Sequence, residues 1–250
     1  PYPKYKKRKL TALFHAAKPL SVPFKEDLIL RGFEWIPSQP NGQSVLIMHG
    51  YASFSFKFEQ YITPLLKNGF KVICFDAPGH GVSDGKYINA LLYKQSIEKI
   101  IEYLGPIDHF IGHSLGGLTA ALIAENIAQP EHHKFVLIAP ATKTTTTFEN
   151  FFQLMHFNSD QKRAFFEELQ HFTHQPISYF EADRAIEQYI GPILWVHDQN
   201  DSICPYSDIE DFKNRAPSNI KYLITNNLGH NQIYKTQFVI DQIIAFISSN

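Results

Sequence analysis

The sequence predicts an α/β domain: a mostly parallel central sheet with helices on both faces and a helical cap inserted late in the chain. Three observations predict it. Short apolar runs alternate with stretches of helical apolar spacing through most of the 250 residues, the pattern of strands joined by crossover helices. Several runs are continuously apolar, as in strands covered on both faces. Between residues 141 and 188 the alternation gives way to an aromatic-rich stretch.

In order along the chain, Leu28 to Trp35 reads as an early strand, the second half of a hairpin begun near Val22, and Ser44 to Met48 as a short buried strand. Phe58 to Lys67 is helical and stops at Asn68-Gly69, a suitable helix end. Lys71 to Phe75 is the next strand. Ala90 to Leu104 has helical spacing and ends at Gly105-Pro106. Ile107 to Ile111 reads as a strand and Leu115 to Ala128 as a helix, with a sharp turn between them. Lys134 to Ala139 and Ile193 to Val196 are strands on either side of the aromatic stretch. Asp208 to Asn214 is helical, Ile220 to Ile224 a strand, and Phe238 to Ile247 a closing helix. The stretch itself carries Phe148, Phe151, Phe152, Phe157, Phe165, Phe166, Phe172, Tyr179 and Phe180, and reads as two or three amphipathic helices. Most of these rings are expected to bury against the main domain and a few to line an apolar acyl or aryl pocket. The resulting division is a basic arm over 1–20, a core over 21–140 and 189–250, and a cap over 141–188.

A net charge of −1 gives no whole-molecule field that would suit nucleic acid. Lys4, Lys6, Lys7, Arg8 and Lys9 place +5 at the start and leave −6 for the remainder, which reads as a solvated arm. The two cysteines, Cys74 and Cys204, make no disulfide framework. Cys74 is expected to be buried and Cys204 more exposed. No apolar run approaches the length of a membrane span, and no secretory signal is visible, so a soluble cytoplasmic protein without stable membrane insertion is expected. The chain starts at Pro1 without a Met, which leaves a removed targeting segment open.

The chemistry centres on Gly112-His113-Ser114-Leu115-Gly116 between a strand and a helix. In such a nucleophile elbow a serine hydroxyl is presented above a sheet, and small residues beside it let strand and helix pass closely. The helix behind it aims its N–H groups at the reacting site. A serine needs a base, an acid to orient the base, and donors for an oxyanion. His230 follows the strand Ile220 to Ile224 and precedes the last helix, which makes it the candidate base among 12 histidines. His113 adjoins Ser114 and cannot easily turn onto its hydroxyl. His49 and His80, in glycine turns, are expected to make structural or rim hydrogen bonds. Two aspartates after the strand Ile193 to Val196 compete as the acid, Asp198 and Asp201, and spacing does not separate them. Oxyanion donors are expected from the N–H of Leu115, which follows the serine, and from Tyr51, where Gly50 lets the backbone approach the substrate.

These residues resemble a known family. His49-Gly50-Tyr51, Asp76-Ala77-Pro78-Gly79-His80-Gly81-Val82-Ser83, Gly112 to Gly117, Pro192 to Pro205 and Gly229-His230 stand in the order found in α/β-hydrolases of the single-domain esterase, lipase and acyl-hydrolase type. The resemblance runs from Ser44 to the C-terminus with the cap unmatched. It implies the α/β-hydrolase fold, a structural role for Asp76, and Asp201 as the triad acid, with His197 and Pro205 fixing the register. The departure is Asp198 where many relatives have glycine. Ser114 at the elbow argues against dehalogenases and epoxide hydrolases, which carry an aspartate there.

The expected function is therefore a serine hydrolase that cleaves a carboxylic ester or thioester through an acyl-enzyme, with Ser114, His230 and Asp201 as triad. The substrate is expected to be a small ester-like molecule with an apolar acyl or aryl group. No cofactor or metal is called for. The same triad would serve an acyltransferase or a C–C or amide hydrolase, and the fold also hosts ligand-binding or regulatory proteins with a silent site. Substrate identity and oligomeric state are not legible.

Overall fold

The computed structural model describes residues 11–215 and 217–249. One eight-stranded sheet organises them, with strand order β1-β2-β4-β3-β5-β6-β7-β8. The strands are β1 (Lys18–Lys25), β2 (Leu28–Trp35), β3 (Ser44–Met48), β4 (Lys71–Phe75), β5 (His109–His113), β6 (Lys134–Ile138), β7 (Ile193–Asp198) and β8 (Ile220–Thr225). β1 and β2 form a hairpin, and β2 lies antiparallel to β4. Every pair from β4 through β3 to β8 is parallel. The order places β3 and β5 at the centre, and the two loops that follow them meet at one end of the sheet.

The helices are α1 (Ala12–His15), α2 (Glu59–Lys67), α3 (Ala90–Leu104), α4 (Leu115–Ala124), α5 (Thr144–Leu154), α6 (Ser159–Thr173), α7 (Ala182–Ile186), α8 (Ser207–Arg215), α9 (Gly229–Gln232) and α10 (Gln237–Ser248). Two hydrophobic layers result. On one face α1, α2 and α10 bury Phe14, Tyr61, Leu65, Ile240 and Ile243 against Val45, Ile47 and Val72. On the other, α3, α4, α7 and α8 bury Ile97, Leu122, Ile186 and Phe212 against Leu46, Ile73, Leu137 and Trp195. Because successive strand residues point to opposite faces, β3 feeds both layers and is wholly buried, which is why it reads as an unbroken apolar run. No helix of the described residues is long and apolar enough to cross a membrane.

Most element ends fall within two residues of the sequence reading, β7 among them, which runs on to Asp198, and three differences bear on the packing. β5 is His109–His113, two residues later than expected. Its polar ends are buried and satisfied on one ring nitrogen each: His109 accepts the Lys134 N–H at 3.2 Å and His113 holds the His230 carbonyl, while His109 Nε2 and His113 Nδ1 have no hydrogen-bond partner among the described residues. α4 stops at Ala124, short of Gln129, which adopts a left-handed φ of 52° ahead of Pro130. Within the expected basic arm, residues 12–20 are built into the domain: Phe14 is buried and the hairpin opens at Lys18. Lys4, Lys6, Lys7, Arg8 and Lys9 lie outside the described residues. Cys204, expected to be more exposed, is buried like Cys74, because its amide is drawn in toward Asp201.

The insertion leaves β6 and returns through a narrow neck. Lys143 and Glu181 form an isolated antiparallel bridge, and Ala182 N–H donates to the Thr142 carbonyl at 2.9 Å. Beyond the neck, α7 packs on α4 as part of the core, with Ala182, Ala185 and Ile186 in the same cluster as Leu118. Of the rings in this stretch, Phe180 and Tyr179 pack into the main core, and the others pack chiefly on each other: Phe152, fully buried, lies 5.2 Å from Phe165, 5.3 Å from Phe166 and 5.4 Å from Phe157.

Candidate active site

Ser114 sits between the end of β5 and the start of α4 with φ 55° and ψ −120°. That conformation costs of order 1–3 kcal/mol for a residue with a side chain. The surroundings hold it: Ser114 N–H donates to Ile138 O at 3.0 Å, and its carbonyl accepts the Leu118 and Ala141 N–H groups at 3.0 and 3.2 Å. The helix must pass against β3 to make this turn. A Cβ built on Gly116 would lie 2.4 Å from the Met48 carbonyl oxygen and 2.6 Å from that of His49, so only glycine fits. Leu115 opens α4, and the first N–H groups of a helix have no intrahelical acceptor.

His230 lies in the first turn of α9 and is buried. Its Nδ1–H donates to Asp201 Oδ2 at 2.8 Å. The other carboxylate oxygen, Oδ1, accepts the Ile203 and Cys204 N–H groups at 2.8 and 2.9 Å. Burial pushes the Asp201 carboxyl up. The hydrogen bond and charge of His230, with the two amides, outweigh that and leave it below its ordinary value. An ionised carboxylate only accepts, so Nδ1 of His230 carries a proton. The structure thus joins His230 to Asp201.

Asp198 is engaged elsewhere. Its Oδ2 accepts Thr225 Oγ1–H at 2.7 Å and Leu228 N–H at 3.0 Å, and its Oδ1 accepts Asn200 N–H at 2.9 Å. It ties the end of β7 to the loop that carries His230. Burial raises its pKa, but these donors prevail and it too lies below the usual carboxylate value.

Two histidines support the arrangement, one of them set aside on sequence grounds. His113 does not turn onto Ser114. Its Nε2–H donates to the backbone carbonyl of His230 at 3.0 Å, with the two rings 4.7 Å apart. The base is thereby tethered to the residue preceding the serine. Burial drives the His113 pKa down to about 3, so the ring is neutral. His197 donates from Nε2 to the Cys204 carbonyl at 2.8 Å and accepts the Trp195 indole N–H at 3.3 Å. It braces the loop that holds Asp201. The role of His113 has no sequence signal, because its partner is a backbone carbonyl far away along the chain, whereas His197 meets a carbonyl seven residues on in its own loop.

The remaining candidates also lie at this end of the sheet. The loop 49–52 backs directly onto the elbow: a Cβ on Gly50 would lie 2.9 Å from the Ser114 Cβ. Tyr51 follows with its ring exposed. Ser114 Oγ makes no hydrogen bond to His230 or to any other described residue. Asp76 is structural in its contacts, accepting Ser55 N–H and Oγ–H at 2.8 and 2.7 Å and Val82 N–H at 2.9 Å.

Comparison with known proteins followed this geometry. The family model described as "Serine aminopeptidase, S33" matches residues 39–175. A serine hydrolase-like protein of Danio rerio is 36% identical over 110 residues, which are 42% of this chain and 32% of that protein. A 2-hydroxy-6-oxononadienedioate/2-hydroxy-6-oxononatrienedioate hydrolase of Pseudomonas putida is 33% identical over 117 residues, 42% of this chain and 39% of that protein. The chain thus spans well under half the length of these curated relatives. Among solved structures, an esterase of Pyrococcus furiosus superposes with a TM-score of 0.67 at 20% identity, covering 92% of this chain and 91% of the esterase.

Proposed function

The chain belongs to the α/β-hydrolase family whose model is described as serine aminopeptidase S33, and from that premise we propose that it is a serine hydrolase cleaving a carboxylic ester or thioester by way of an acyl-enzyme. The observation that carries the reading is the 2.8 Å bond from His230 Nδ1–H to an ionised Asp201. It leaves a basic Nε2 on a residue tethered to the elbow. Ser114 Oγ attacks the carbonyl carbon as His230 Nε2 takes its proton. The Leu115 and Tyr51 N–H groups receive the negative charge on the carbonyl oxygen. His230 then protonates the leaving group, and water, deprotonated by the same ring, releases the acid and restores Ser114.

An apolar acyl or aryl group is the proposed specificity. A small cavity of about 70 Å³, almost wholly apolar, lies between the start of α3 and the cap, lined by Leu91, Phe148, Leu169, Ile177 and Phe180. The family description favours amide hydrolysis as the second reading, since the same triad serves it.

The test is labelling with a fluorophosphonate, followed by hydrolysis of p-nitrophenyl esters of increasing acyl length and of aminoacyl p-nitroanilides. Wild type should label rapidly and Ser114→Ala not at all, with ester turnover lost and the thermal melt retained. Ester hydrolysis undiminished in Ser114→Ala removes the proposal. Anilide turnover that outruns ester turnover moves amide hydrolysis to first place.

A further inference from the structure

The loop after β3 (49–52) and the loop after β4 (76–83) each carry one buried histidine, His49 and His80, with ring centroids 5.4 Å apart. Each ring reaches across to the other loop. His49 Nε2 accepts the Ala77 N–H at 2.9 Å, and His80 Nε2 accepts the Ala52 N–H at 3.2 Å. On its other side each ring meets a carbonyl of its own loop: His49 Nδ1 lies 2.8 Å from Gly50 O, and His80 Nδ1 lies 3.0 Å from Pro78 O. A backbone N–H only donates and a carbonyl only accepts. Both rings are therefore neutral, protonated on Nδ1 and open on Nε2.

One bond from each ring, His49 Nδ1–H to the Gly50 carbonyl and Ala52 N–H to His80 Nε2, brackets a single residue, Tyr51. The peptide before Tyr51 is held through its carbonyl by His49, and the peptide after it is held through the Ala52 N–H by His80. A trans peptide is planar, so fixing the Gly50 carbonyl fixes the Tyr51 N–H on the opposite side. Ala52 has φ 52°, a conformation an alanine adopts only where its neighbours impose it. The loop has no slack toward the elbow either, given the closeness of Gly50 to Ser114.

We infer that His49 and His80 form a reciprocal clasp between these loops and act as positioning residues for the Tyr51 N–H that receives the oxyanion. The oxyanion role rests on the acyl-transfer reading above; the clasp itself does not. Neither ring touches the reacting atoms. Their effect is to remove the freedom of one donor before substrate arrives, which is where preorganised donors gain their advantage over water.

The test pairs His80→Phe, which keeps a ring but loses the acceptor, with His80→Gln, whose amide oxygen can take the Ala52 N–H. kcat and KM for a p-nitrophenyl ester are measured together with the inhibition constant of an alkyl trifluoromethyl ketone, whose hydrate-like adduct carries the oxyanion. His80→Phe should lose about 10- to 100-fold in kcat, with KM within about 2-fold and the ketone weakened in step with kcat/KM. His80→Gln should recover most of the loss. Unchanged kcat and ketone affinity in His80→Phe, or equal losses in the two variants, overturns the oxyanion role. Two readouts do not depend on activity. Nitrogen-15 NMR of the wild type should show both rings as Nδ1–H tautomers, and an Nε2–H tautomer at either overturns the clasp. Hydrogen exchange of the Ala52 amide should accelerate in His80→Phe and not in His80→Gln; unchanged protection also overturns it. If the wild type shows no Ser114-dependent turnover, the acyl-transfer reading fails by itself, and these two readouts decide the clasp.

Discussion

At the scale of single residues, the two aspartates of one loop differ by what they face. Asp201 accepts the His230 Nδ1–H, whereas Asp198 accepts a threonine hydroxyl and backbone amides. Asp201→Asn removes the charge that fixes the His230 tautomer and should cost about 10³–10⁴-fold in kcat with a small change in melting temperature. Asp198→Asn should do the reverse, lowering stability by about 1–2 kcal/mol through the weakened loop clamp while leaving kcat within about 10-fold. Steady-state kinetics beside thermal melts checks both, and a larger kcat loss in Asp198→Asn would reassign the acid. The Asp201 carboxyl is held below its unfolded value. Its contribution to stability is therefore complete above the unfolded value of 3.8 and is lost as pH falls through the lower folded value.

At the scale of elements, the elbow depends on helix α4 touching strand β3 without a side chain between them. Gly116→Ala puts a methyl group 2.4 Å from the Met48 carbonyl oxygen, and that atom is backbone inside the sheet. We expect a loss of about 3 kcal/mol or more in chemical denaturation, with fluorophosphonate labelling slowed in whatever folds. Stability unchanged would mean that the β3–α4 packing is looser than described. This contact also explains how much was legible beforehand. Elements β3, β4 and α3 were read at their observed boundaries because apolar runs and helix stops are local signals. Ser114 and His230 stood out because a turn sequence and a position after a strand are local too. The choice between Asp198 and Asp201 could not be made from spacing, since both side chains leave the same loop and differ only in which distant partner they meet. The role of His113 stayed hidden for the same reason; His49 and His80 were expected to make structural or rim hydrogen bonds, but their cross-loop partners were not legible. Phe180 and Tyr179 bury against the main domain as expected, while Phe148, Phe152, Phe157, Phe165 and Phe166 turn to one another, because composition does not report what a ring packs against.

At the scale of the whole molecule, the described residues include four histidines whose pKa burial lowers: His49 and His109 to about 4, His113 to about 3, and His197 below its ordinary value. Unfolding releases each toward its ordinary value of 6.5. Between those limits the unfolded chain binds more protons than the native one, so stability is complete above about 6.5 and declines as pH falls toward 4. The expected result is a steep drop in melting temperature from pH 6.5 to 4.5, with an uptake of roughly three to four protons by these histidines on unfolding near pH 5. Calorimetry in buffers of different ionisation enthalpy measures that uptake; a value near zero would show that these rings titrate alike in both states.

The neck of the insertion has a consequence for how such a protein can change through descent. Its two stems meet at the Lys143–Glu181 bridge and the Thr142–Ala182 hydrogen bond, so the chain leaves and re-enters the core at nearly one point. The cap helices keep their own aromatic interior. Lengthening, shortening or exchanging that excursion as a cassette would leave the loops bearing Ser114, Asp201 and His230 where they are. Natural selection can therefore revise that excursion while the core on either side of the neck is inherited unchanged.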